Sequence, residues 1–172
     1  MTMPHEALTD TAKIRITIAG HPVGKGRART VRTRDGRIMS FTPERTRRWE
    51  ENARLQAQTH MAGRSPLTGP LALRVSTYLA VPSSWPAWKQ QAALYGHVRP
   101  TGKPDLDNIL KAAKDAMNGV LWIDDAQVVL VVTDKAYSDT PRVEIQVNAL
   151  DAAPSQITRK GDVRAWLTGR VA

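Results

Sequence analysis

KPDLDNILKAAKDAMNGVLWIDDAQVVLVVT, residues 103–133, changes its hydrophobic period part-way along. From Ile109 the apolar positions fall at 109, 112, 113, 116, 117 and 120, the three-and-four spacing of a single helical face. After Asp124-Asp125 the period is lost. Gln127–Thr133 reads instead as a buried strand, an apolar run too short for a helix. Pro104 biases Lys103 away from helical backbone. The helix therefore starts between Pro104 and Ile109, with Asp105 in extended chain and Asp107 near the N-cap.

Strands and helices alternate outward from this segment. Leu71, Leu73, Val75, Thr77, Leu79 and Val81 alternate with Ala72, Arg74, Ser76, Tyr78 and Ala80, the clearest strand in the chain, which Pro82 stops. Ser83–Tyr95 reads as a helix with Pro86 in its first turn. Val143, Ile145 and Val147 alternate with Arg142, Glu144 and Gln146 in a last strand, and Ile14, Ile16 and Ile18 alternate with Lys13, Arg15 and Thr17 in a first one. Thr30–Arg34 and Arg37–Phe41 form a strand pair about the Asp35-Gly36 turn. Thr42 as cap and Pro43 at the first helical position open a helix to about Met61, with Trp49, Ala53, Ala57 and Met61 on one face. The expected architecture is a single α+β domain over residues 13–150, a mixed β-sheet covered on one face by helices. Residues 1–12 are a flexible lead-in, and 151–172 a short helix or mobile tail.

The 172 residues carry a formal net charge of +9, which favours a polyanionic partner, most often nucleic acid. A basic surface serving only solubility is the plain alternative. With no Cys, disulfides and thiolate metal sites are excluded. No run approaches the roughly 18 apolar residues of a membrane span, and the first residues lack a secretory signal. A soluble, cytoplasmic protein without membrane partners is expected.

Against that charge, five of the 16 acidic residues fall between Lys103 and Asp125: Asp105, Asp107, Asp115, Asp124 and Asp125. A helix and a short turn fold the last two back toward the first. Carboxylates converging without His or Cys suit a hard, oxygen-preferring cation, with Mg²⁺ the default, and Lys111 lies one helical turn after Asp107. Such an ion activates water and offsets charge on a phosphodiester. Each element also has an ordinary reading: Asp107–Lys111 as a surface ion pair, Asp107 as a cap, Asp124-Asp125 as a turn. Lys25–Arg48 holds nine Lys or Arg against two acids. Lys25, Arg27, Arg29, Arg32, Arg34 and, further on, Lys103 are the expected DNA contacts. GHPVGKG is one residue short of a phosphate loop and has Gly26 where Ser or Thr belongs, so that reading fails.

Asp105-Leu106-Asp107-Asn108, Lys111, Asp115 and Trp122-Ile123-Asp124-Asp125-Ala126-Gln127-Val128-Val129 together resemble the RusA family of Holliday junction resolvases. Pro22-Val23-Gly24-Lys25-Gly26-Arg27, followed by Thr42-Pro43, is similar to its phage and prophage branch. The resemblance spans most of residues 13–148. It implies an Mg²⁺-dependent homodimer that nicks four-way DNA junctions symmetrically. Asp105, Asp107 and Asp125 would be the metal-binding catalytic acids and Lys111 the catalytic lysine. One departure is that the gap between the helix and the Asp pair is a residue shorter than in the best-known member. Two other readings stand beside the junction endonuclease of recombination and repair. One is a non-catalytic junction- or DNA-binding module of the same fold. The other is an Mg²⁺ phosphohydrolase acting on small nucleotides, for which a broad basic face is ill suited.

Overall fold

The computed structural model describes residues 14–32 and 35–150, with Arg29 described by its backbone alone. The expected lead-in 1–12, Lys13, Arg34 and the tail 151–172 lie outside the described residues. In chain order the elements are β1 (Ile14–Ala19), β2 (Arg29–Arg32), β3 (Ile38–Phe41), α1 (Glu44–Met61), β4 (Leu71–Ala80), α2 (Ala87–Leu94), α3 (Leu106–Met117), a 3₁₀ turn (Asp125–Gln127), β5 (Val128–Ser138) and β6 (Arg142–Ala149).

Four strands form one mixed sheet in the order β1-β6-β4-β5. β6 runs antiparallel to both β1 and β4, whereas β4 and β5 are parallel. A parallel neighbour needs a long crossover, and residues 81–127 supply it, carrying α2 and α3. The alternating Ile14, Ile16 and Ile18 of β1 share one buried cluster with Val143, Ile145 and Val147 of the neighbouring β6 and Leu71, Leu73 and Val75 of β4. Over this face lie Trp49, Ala53, Ala57 and Met61 of α1 and Ile109, Ala112, Ala113, Ala116 and Met117 of α3. The alanines leave little side chain between the helix backbones and the layer beneath. The expected α+β class, with a mixed sheet packed against helices, is the one found. Among the described residues no helix is long and apolar enough to cross a membrane.

Local differences have local causes. Pro43 takes the N-cap of α1 with extended ψ of 140°, so Thr42 stands outside the helix. Pro86 does the same for α2 (ψ 151°), delaying its start to Ala87 while residues 83–85 form a turn. β5 is an edge strand. Val129 is 62% and Val131 37% exposed, where the apolar run suggested a buried strand. The β2–β3 pair forms a separate two-stranded ribbon, in register from Arg29↔Phe41 to Arg32↔Ile38.

A candidate acidic site and nucleic-acid interface

Asp105 is the N-cap of α3, in extended conformation (φ −75°, ψ 147°), and Asp107 falls in the first turn. The cap thus falls two residues before the expected position near Asp107. Three attachments hold this end in place. The Lys25 N–H donates to the Asn108 carbonyl (2.8 Å). The Lys135 ammonium, from β5, donates to the carbonyls of Gly102 (2.7 Å) and Pro104 (3.3 Å). Gly24 packs so closely that a Cβ there would stand 3.1 Å from the Asn108 Cβ and 3.2 Å from the Pro104 Cβ. The same loop is fastened to α1. The buried Thr46 hydroxyl accepts from the Gly26 N–H (3.1 Å) and donates to the Gly24 carbonyl (3.4 Å). A Cβ on Gly26 would meet the Pro43 Cγ at 2.8 Å. The glycines of PVGKGR serve close backbone approach between two helix starts.

Asp105 and Asp107 are exposed, and Asp105 makes no capping hydrogen bond through its side chain. Neither carboxylate forms an ion pair with another described residue, and the Asp107–Lys111 surface pair does not form. Lys111 is exposed on the following turn.

The other acids of the segment have partners. Asp115 Oδ2 lies 2.6 Å from the Lys25 ammonium, which also reaches Glu50 Oε1 of α1 at 2.7 Å. Burial pushes the Lys25 pKa down, but the hydrogen bonds and charges of Asp115 and Glu50 outweigh it and leave the pKa raised. Asp124 accepts from the Ala126 N–H (2.7 Å) as the cap of the 3₁₀ turn. Asp125 Oδ1 accepts from the indole N–H of the fully buried Trp122 (2.8 Å), and its Oδ2 lies 3.8 Å from Lys114. Gln127 completes the turn. Its Oε1 accepts from the N–H groups of Ile123 and Asp124, and its Nε2 donates to the carbonyls of Leu67 and Gly69. Among the described residues no three acidic or imidazole side chains converge to hold an ion. Asp105, Asp107 and Asp125 therefore do not form one three-carboxylate cage within a single copy.

A cleft of about 810 Å³ opens between the 22–27 loop, the start of α1, and residues 103–105 and 108. Arg27, Arg45 and Lys103 stand at its walls together with Asp105. All three cations are exposed, and none forms an ion pair with another described residue. Lys25, expected to contact DNA, lines the same cleft but is committed to Asp115 and Glu50. Arg32 lies on the exposed ribbon. Sequence reasoning passed over Arg45, although a signal existed. A cation in the first turn of a helix opposes the helix dipole. Glu44 offsets Arg47 (2.8 Å) and Arg48 (2.7 Å) but leaves Arg45 facing the cleft.

The sequence model described as Endodeoxyribonuclease RusA matches residues 19–148. A Bacillus subtilis (strain 168) protein named "Uncharacterized protein YqaN" is 36% identical over 141 residues, spanning 81% of this chain and 98% of that protein. The match takes in the glycine loop, both helices that the loop joins, and the whole segment from Asp105 to the Gln127 turn, and by it the chain belongs to the endodeoxyribonuclease RusA family.

Proposed function

We propose that this protein is an Mg²⁺-dependent endonuclease that resolves four-way DNA junctions by paired symmetric nicks in recombination and repair, acting as a homodimer. One observation carries the reading. In a RusA-family chain, Asp105 at the wall of the basic cleft and Asp107 one residue beyond Leu106 form no ion pair among the described residues, while Asp115 and Asp125 are paired with lysines and Asp124 caps a turn.

The donor set fits the ion. Mg²⁺ characteristically takes one or two carboxylates and fills its other positions with water and substrate phosphate oxygens. Asp105 and Asp107 would hold it, and when bound it supplies activation of water and neutralisation of phosphate charge. Lys111, one turn on, fixes the scissile phosphate or stabilises the leaving oxygen. Arg27, Arg45 and Lys103 neutralise neighbouring phosphates along the cleft. Asp125, gripped by Trp122 and Lys114, acts as a catalytic acid only if a rearrangement or a second copy brings it to the ion. A second copy also matches the approximate two-fold symmetry of a junction. The open, apolar edge around Ile123, Val129 and Val131 has the character of a surface that another copy covers.

The test is cleavage of a labelled synthetic four-way junction beside a matched linear duplex, in Mg²⁺ and in EDTA. Paired nicks on the junction, only with Mg²⁺, are expected; equal cutting of the duplex would sink the junction reading. That no three-carboxylate cage forms among the described residues of one copy favours one rival, a DNA-binding module without catalysis. That rival predicts tight junction binding, no nicks, and no rise in melting temperature on adding Mg²⁺.

A further inference from the structure

The β2–β3 ribbon contributes no residue to the lining of the Asp105 cleft. Among the described residues its substantial packing is strand on strand, and no other described element packs extensively on it. Cross-strand register puts Val31 opposite Met39 on the face that also carries Phe41, while Arg32, Ile38, Thr30 and Ser40 take the other. Val31, Met39 and Phe41 are 51%, 46% and 48% exposed. A lone two-stranded ribbon is marginal in water, and three adjacent half-bare apolar side chains on it call for an occupant. The ribbon's place narrows the choice. β2 continues directly from the glycine loop that lines the Asp105 cleft, and β3 runs into the Phe41–Pro43 segment at the start of α1. There a second hollow of about 720 Å³ is walled by Phe41, Pro43, Arg45 and Arg47. The two hollows share Pro43 and Arg45, so the ribbon's base stands beside the Asp105 cleft. The charge disfavours a second ribbon as the occupant, since residues 29–41 carry Arg29, Arg32, Arg34 and Arg37 against Asp35 and two such arms repel.

We propose that the ribbon is a wedge for branched DNA, its Val31–Met39–Phe41 face packing against bases left unstacked at the branch point. The proposal rests on the nuclease reading above and deepens it, assigning junction preference to the ribbon and chemistry to the cleft. Apolar side chains inserted at base steps, and aromatic rings stacked on bases, are general means of holding nucleic acid open. A branch point offers such bases at a lower unstacking cost than continuous duplex.

The test uses the full chain in EDTA, so that binding is read without cleavage. The probes are a synthetic four-way junction with 2-aminopurine at the branch and a linear duplex of the same sequence. Wild type is expected to prefer the junction and to change the 2-aminopurine fluorescence. Met39→Ala/Phe41→Ala is expected to weaken junction binding by about tenfold or more, with linear-duplex binding and the fluorescence response of the duplex little altered. Ile38→Ala, on the opposite face, is the control and retains the preference. An unchanged junction affinity and signal in the double variant overturns the wedge while leaving the nuclease reading intact. So does an equal loss on both DNAs, or a change in oligomeric state, which would make the ribbon a contact between copies. Absence of junction preference in wild type overturns both readings. Because these side chains lie outside the core, unchanged melting of the variant separates lost contact from lost fold.

Discussion

At the N-terminal end of α3, Asp105 and Asp107 stand exposed and form no ion pair with another described residue. Beyond its middle, Asp115 is clamped by Lys25, and past its C-terminal end Asp125 is held by Trp122 and Lys114. The residue type is the same and so is the segment, but the surroundings differ. Near the C-terminus the carboxylates join elements: Asp115, through Lys25, ties the glycine loop to α1 and α3, while Arg54 donates to the Asp115 and Asn118 carbonyls and closes the helix end. At the N-terminus the backbone is fastened by other groups, so the acids themselves carry no structural duty. A carboxylate relieved of holding the fold is available to a ligand.

The sharpest way to break this contrast is Asp107→Asn. Loss of several kcal/mol of transition-state stabilisation should lower junction cleavage about 10³-fold, with junction binding and melting temperature unchanged. A large fall in melting temperature would mean that the N-terminal acids are structural too. Next in size is Lys25→Met, which leaves Glu50 and Asp115 half-buried without their cation. Unfolding stability at neutral pH should drop by about 1–3 kcal/mol. The sign with pH follows from the raised lysine pKa: the contribution is complete below the lysine's ordinary value and disappears as pH rises through the higher folded one. Denaturation curves of wild type and variant should therefore converge at strongly alkaline pH. Trp122→Phe removes the indole donor to Asp125 and some buried volume, and should cost about 1–2 kcal/mol. If junction cleavage rises or falls with it while Asp107→Asn still binds junctions, Asp125 takes part in the chemistry as well as the fold. The smallest effect belongs to Glu44→Gln. Hydrogen bonds from Arg47 and Arg48 hold the Glu44 carboxyl below its usual range, so its contribution is present above that range and lost as pH falls through the lowered value. The variant should melt only slightly below wild type at neutral pH and level with it in acid.

Much of the fold was legible because it rests on periodicity. The stripe from Ile109 to Met117, the buried face Trp49–Ala53–Ala57–Met61 and the alternations in β1 and β6 appear in place, whereas β4, central in the sheet, is buried on both faces over Leu71–Leu73 and Val75–Thr77 and ends at Ala80. What escaped was whatever depends on neighbours distant in sequence. The apolar run of β5 has the composition of an interior strand, and only the order β1-β6-β4-β5 puts it at an edge. In the site, the grouping of Asp105 with basic residues at one cleft was readable from composition and spacing. The withdrawal of Lys25 into a triad with residues 50 and 115 was not, because no local pattern links those three positions. Proline misled at both helix starts, where it holds the cap position and not the first helical one.

Gln127 has a consequence for how this chain tolerates changes in length. Its amide oxygen receives two N–H groups from the Ile123–Asp124 side, and its amide nitrogen is shared between the Leu67 and Gly69 carbonyls just before β4. A glutamate there would set an acceptor against two acceptors, and an asparagine would fall a methylene short. From Ile123 onward the chain is thus indexed to the entrance of β4. A residue gained or lost between α3 and β5 has to be absorbed upstream, in the Asn118–Val120 turn, by remaking its bonds to Met117 and Trp122 around Gly119 (φ +74°, with no atom near its missing Cβ). Grafts of this segment between relatives of different spacing should place their junction at that glycine.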